Sequence, residues 1–155
     1  MKCIHVFFLF TTVAMFASCD SDVVFEENKS IEKGQWDKAS AITFEFEIAD
    51  TTTLHNMYIN LRNGEDYGYS NLYLFAELEF PNGKKATDTV QCFLADPTGK
   101  WLGSGMGDIY DNRLIYKERK QFPMAGNYRL SLRQGMRVDG LKGIRDVGVR
   151  LAKTE

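Results

Sequence analysis

In ITFEFEI, residues 42–48, apolar and polar side chains alternate one by one. A repeat of two gathers the apolar groups on one face of a strand but scatters them around a helix. Ile42, Phe44, Phe46 and Ile48 then look into a core, while Thr43, Glu45 and Glu47 meet water. HNMYINL repeats the pattern, with His55, Met57, Ile59 and Leu61 opposite Asn56, Tyr58 and Asn60. NLYLFAELEF places Leu72, Leu74, Ala76, Leu78 and Phe80 on one side, with Glu77 and Glu79 on the other. Pro81-Asn82-Gly83 follows, and Asn-Gly between strand-like runs signals a hairpin because both residues tolerate positive φ. Further strands are predicted over residues 87–94, 128–132 and 144–151, and residues 112–120 are compatible with a short helix. About seven or eight short strands separated by polar turns predict an all-β antiparallel β-sandwich, with a jelly roll as the preferred topology.

A chain of 155 residues holds one domain with a core of its own. Such a domain buries roughly two-thirds of its unfolded surface and needs neither metal nor disulfide to fold. Hydrophobic residues at 44% and aromatics at 13% exclude disorder. A formal net charge of −2 removes the electrostatic case for nucleic-acid binding.

The opening run MKCIHVFFLFTTVAMFASC has a defined grammar. Lys2 supplies a positive start, Cys3 to Phe16 are apolar, and small residues Ala17 and Ser18 precede Cys19. The run falls short of the ~20 apolar residues that span a bilayer, so it reads as an export signal. Phe16-Ala17-Ser18-Cys19 resembles the lipobox of bacterial lipoproteins, with Phe16 where leucine is usual. That resemblance implies diacylglyceryl transfer to the Cys19 thiol, cleavage before it, and acylation of the new amino terminus. Each buried lipid methylene contributes ~0.8 kcal/mol, so two or three acyl chains hold a protein almost permanently. Cys3 leaves with the signal, and Cys92 then stands alone, without a disulfide framework. Cys92 shares a strand face with Val90 and Leu94 and reads as a small buried hydrophobe. The expected organisation is a signal over residues 1–18, an acylated cysteine and acidic tether over 19–30, and one sandwich domain over 31–155. Val23 to Phe25 offer an alternative, a first edge strand.

Chemistry is sparse. After the signal the one histidine is His55, on an apolar strand face with no nucleophile elbow near it. No CxxC, HxxxH or His/carboxylate cluster marks a metal site, and no cofactor is expected. The glycine-rich stretch ADPTGKWLGSGMGDIYDN, residues 95–112, lacks both phosphate-binding fingerprints: Asp108 stands where GxGxxG needs its third glycine, and no Gly-Lys-Ser or Gly-Lys-Thr occurs. Asp96, Asp108 and Asp111 suit calcium by chemistry but not by spacing, and read as turn formers. Trp101 is either a plug, with Leu102, for one end of the sandwich or an exposed ring for a sugar or protein; the plug is preferred. Arg129, Arg133, Arg137, Lys142, Arg145 and Arg150 read as a solvated face, with a docking patch for an acidic partner as the alternative. Trp101 and Arg137 are the candidate partner-binding residues.

An ordered string of motifs covers nearly the whole chain. It runs through Leu72-Tyr73-Leu74-Phe75, Pro81-Asn82-Gly83, Asp88-Thr89, Leu94-Ala95-Asp96 and Gly99-Lys100-Trp101-Leu102-Gly103. It continues with Gly105, Gly107, Phe122-Pro123, Gly126-Asn127-Tyr128, Gln134-Gly135-Met136-Arg137, Leu141, Gly143-Ile144 and Asp146-Val147-Gly148. With the lipobox, this order resembles the GldH-type gliding-motility lipoproteins of Bacteroidetes. The resemblance implies a role associated with the gliding and type IX secretion machinery and brings no catalytic residue. The expected protein is a non-enzymatic, lipid-anchored component of the cell envelope, most simply of the outer membrane, with envelope proteins as partners. A glycan-binding lipoprotein of a polysaccharide-uptake system is the alternative, favoured by an exposed aromatic platform around Trp101. If Cys19 is the acylated residue, Cys19→Ala abolishes labelled fatty-acid incorporation and cleavage at that site. Label still entering the variant would contradict the lipoprotein reading.

Overall fold

The computed structural model describes residues 22–154; the signal segment, Cys3 and Cys19 lie outside the described residues. The alternating runs become β3 (Ile42–Ile48), β4 (Leu54–Gly64) and β5 (Asn71–Glu79). A hairpin joins β5 to β6 (Lys85–Phe93), where the Phe80 carbonyl accepts the Gly83 N–H at 2.8 Å. Asn82 Oδ1 accepts the Lys84 N–H at 3.0 Å, and Gly83 alone of the Asn-Gly pair takes positive φ, at 79°. The remaining long strands are β1 (Val23–Ser30), β7 (Ile109–Gln121), β8 (Gly126–Gln134) and β10 (Ile144–Lys153); β2 (Gln35–Asp37) and β9 (Gly140–Lys142) are short.

One four-stranded sheet has the order β1-β10-β4-β7, the other β3-β8-β5-β6, and β2 pairs with β9 alone. All pairings are antiparallel. Between successive long strands every connection switches sheets except the β5–β6 hairpin. This is the jelly-roll form of the antiparallel sandwich.

Between the sheets lie the alternating apolar residues: Phe44, Ile59, Leu72, Leu74, Leu130, Leu132, Val147 and Val149 are wholly buried. Each such side chain stabilises the fold by roughly 1.5–3 kcal/mol. The open sides are closed by charges that point inward. Lys29 of β1 donates to the Thr43 carbonyl of β3 at 2.6 Å and lies over the Phe44 ring. On the opposite side, Asp88 of β6 accepts from the Tyr116 hydroxyl of β7 at 2.7 Å and pairs with Lys117 at 2.9 Å. Inward charges on edge strands also blunt edge-to-edge association.

The pairing registers assign every loop to an end. Val23, Leu54, Gln121 and Lys153 align at one end of the first sheet, and Ile48, Gly126, Glu79 and Lys85 at one end of the second. The loops over 49–53, 80–84 and 122–125 sit there with the start of β1. The connections over 31–41, 65–70, 94–108 and 135–143 gather at the other end. Rings plug both. Phe46, Phe122 and Tyr128 pack at the first, with Phe122 and Tyr128 centroids 4.9 Å apart. Trp36 and Tyr67 are buried at the second, where the Tyr67 hydroxyl donates to the Asn71 carbonyl at 2.8 Å.

Two expectations need correction. Residues 112–120 are not helical but lie inside β7. There β7 carries more residues than β4 opposite it, with register shifts between His55 and Met57 and between Met57 and Tyr58. Those bulges break the alternation that would have marked a strand. The domain boundary at residue 31 also gives way, because Val23–Ser30 form β1, paired to β10, rather than a tether.

Candidate functional site

The groups most capable of reaction face inward. His55 is 3% exposed, its ring edge-on to Phe122 at 5.5 Å. Its Nδ1 has no hydrogen-bond partner among the described residues. Burial, aided by the charge of Lys153, lowers its pKa against the opposing pull of the Thr53 backbone and Asp50. Cys92 is buried as expected, and burial pushes its thiol up to about 12, leaving no thiolate at neutral pH.

Two of the three loop aspartates have their carboxylates engaged within the protein. Asp96 Oδ1 accepts from the Thr98 N–H, the Thr98 hydroxyl and the Lys100 N–H at 2.8, 2.7 and 3.0 Å. Asp111 holds Arg62 at 2.6 Å, and the Asp108 carbonyl accepts the Glu65 N–H at 3.0 Å. The three aspartates do not converge: among the described residues no His, Cys, Asp and Glu side chains gather in a group able to hold a metal ion.

The outer face of the first sheet is a polar groove of about 640 Å³. Glu26 of β1 receives Arg150 at 2.5 Å, Arg113 at 2.7 Å and the Asn60 amide at 3.0 Å. Desolvation disfavours the Glu26 carboxylate, yet Arg150, Arg113 and Asn60 together hold its pKa below the usual range. Arg62 bridges Asp111 to Asp146, the latter at 3.2 Å. Gly148 lies on the groove floor, where a Cβ would collide with the Asn28 amide opposite it. The network is self-satisfied: each of these charged side chains has a partner of opposite sign.

The second sheet presents a different face. Tyr73, Phe75 and Phe93 are large hydrophobic side chains exposed on it. Sequence reasoning missed them, although the signal was present: positions 73 and 75 fall on the wet side of NLYLFAELEF and are aromatic rather than polar. The six basic residues do not share a face. Arg129 pairs with Glu45 and Glu79 on this sheet, whereas Arg145 pairs with Asp66 and Arg150 with Glu26.

Around Trp101 the glycine-rich segment runs into β7, which begins at Ile109. Ala95 bridges to Trp101 and Ser104 to Asp111. The Trp101 ring is half-buried beside Tyr110 at 5.6 Å and Tyr67 at 6.4 Å. It plugs the end only in part, and Leu102, expected to join it, is instead 58% exposed. With the ring so engaged, Trp101 is no open platform of the kind that favours glycan binding. Arg137 is exposed on the loop after β8, apart from Trp101 in the chain but at the same end of the sandwich.

A family model described as GldH lipoprotein matches residues 23–151, from β1 into β10. The chain belongs to the GldH lipoprotein family. A "Gliding motility lipoprotein GldH homolog" of Christiangramia forsetii is 42% identical over 157 residues, covering 97% of this chain and 96% of the relative. The "Gliding motility lipoprotein GldH" of Flavobacterium johnsoniae is 35% identical over 154 residues, covering 95% and 94%. Among solved structures, an infectious bursal disease virus VP2 subviral particle is 14% identical over 84% of this chain and 30% of its own, with a TM-score of 0.36. The family is named for gliding motility, is not a known enzyme family, and as a lipoprotein family implies a membrane-anchored place in the cell envelope. Within it, Trp101 helps to close one end of the domain. Trp101→Ala should destabilise by about 2 kcal/mol in a urea titration, below the range for a fully buried ring, whereas Leu102→Ala stays within about 0.5 kcal/mol. An unchanged midpoint for Trp101→Ala would show that the ring adds nothing to the fold.

Proposed function

We propose that this chain is a non-enzymatic lipoprotein, acylated at Cys19 and held in the outer membrane, that binds other envelope proteins in association with the gliding and type IX secretion machinery. One observation carries the reading: His55 and Cys92 are sealed inside the sandwich, while the outer faces offer side chains suited to recognition. The gliding-motility names of the relatives support the place of action. On this reading only residues 20–22 separate the acylated cysteine from β1, and the sandwich stands close to the membrane by its first end. Trp101 and Arg137 belong to the opposite end, the one turned toward partners.

The test is mild cross-linking of cells that make the full chain with a carboxy-terminal tag, followed by purification from membranes. Motility and secretion proteins of the envelope should be enriched over a control lipoprotein carrying residues 1–22 on an unrelated domain. Equal recovery with the control would overturn the proposal.

A further inference from the structure

Four of the exposed apolar side chains, Tyr73, Phe75, Phe93 and Leu102, are gathered. Tyr73 and Phe75 are 38% and 45% exposed, side by side on the outer face of β5. Phe93, 56% exposed, stands opposite Asn71 on β6 and is a diagonal neighbour of Tyr73. Leu102 adjoins the end of β6, its N–H bonded to the Leu94 carbonyl at 2.9 Å. Aromatic and aliphatic side chains left together in water mark interaction surfaces more often than isolated ones do.

Two arginines flank this strip. Arg133 of β8 lies opposite Phe75. Arg137 follows Gly135, whose N–H bonds the Tyr73 carbonyl at 2.6 Å, and among the described residues Arg137 has no ion-pair partner. The neighbouring carboxylates are engaged, Glu77 with Lys85 at 2.8 Å and Asp96 with its own turn. The β6 edge is less suited to adding a strand, because Asp88 points inward and is bound by β7.

We infer that Tyr73, Phe75, Phe93 and Leu102, with Arg133 and Arg137, form a docking surface for an acidic segment of another envelope protein that also carries apolar side chains. The inference deepens the proposed binding role and rests on it. The membrane that holds Cys19 is a poor occupant. Four residue steps from Cys19 to Val23 reach at most about 14 Å, while the eight steps of β6 set Phe93 about 26 Å from the first end.

The test places a photo-reactive p-benzoylphenylalanine at position 93 of the full chain in the cells that produce it, with position 115 as reference. Irradiation should give a protein adduct at 93 and not at 115, and mass spectrometry should find the cross-linked segment net acidic. Charge reversal by R133E and R137E together should remove most of the adduct, whereas K142E, at the same end of the sandwich, should leave it. Melting temperatures of the variants should match the parent, since all three positions are exposed. Adducts to lipid alone, no adduct, a segment that is not acidic, or full yield after R133E and R137E would each overturn the inference. If position 93 fails while tagged purification still enriches motility and secretion proteins, this surface is wrong and the broader function stands.

Discussion

Eight long strands run antiparallel, and all but one connection between them crosses from sheet to sheet. Under that constraint successive loops fall at alternate ends of the sandwich, whatever their sequences. The start of β1, the β5–β6 hairpin and the loops over 49–53 and 122–125 share one end. The glycine-rich segment, Trp36 and the β2–β9 pair share the other. This sorting sets which side chains sit at the end where the chain enters β1 and which are held away from it.

Holding the sandwich shut is chiefly the work of the apolar interior. Individually, exposed ion pairs contribute ~0–1 kcal/mol, so the Glu26, Arg62 and Arg113 network shapes the groove more than it stabilises the domain. The inward charges Lys29 and Asp88 matter for another reason: they link β1 to β3 and β6 to β7 across the two sides of the sandwich. His55 and Cys92 are sealed in the interior. One outer face is a self-paired polar groove, and the other carries aromatics flanked by arginines.

Much of this was legible in the sequence. The strict alternation over residues 42–48, 55–61 and 71–80 identified β3, β4 and β5 and their buried faces, since one wet and one dry side impose a period of two. β7 was hidden because its bulges put Ile115 and Tyr116 out of phase. β2 and β9, three residues each, were too short to show a period, so the buried contact of Trp36 and Leu141 appeared only with their pairing. At the surface, Tyr73 and Phe75 were readable as aromatics on wet positions. The half-burial of Trp101 was not, because Tyr67 and Tyr110 come beside it only through the fold. The proposed acylation of Cys19, which lies outside the described residues, rests on the grammar of its segment alone.

The proposed separation of an anchored end from a binding end is open to one direct measurement. The full lipidated chain, reconstituted in vesicles whose headgroups carry a quencher, would bear a fluorophore at Lys84, on the first end, or at Lys100, on the other. The account predicts strong quenching at position 84 and little at position 100. Equal quenching at both, or stronger quenching at position 100, would contradict it.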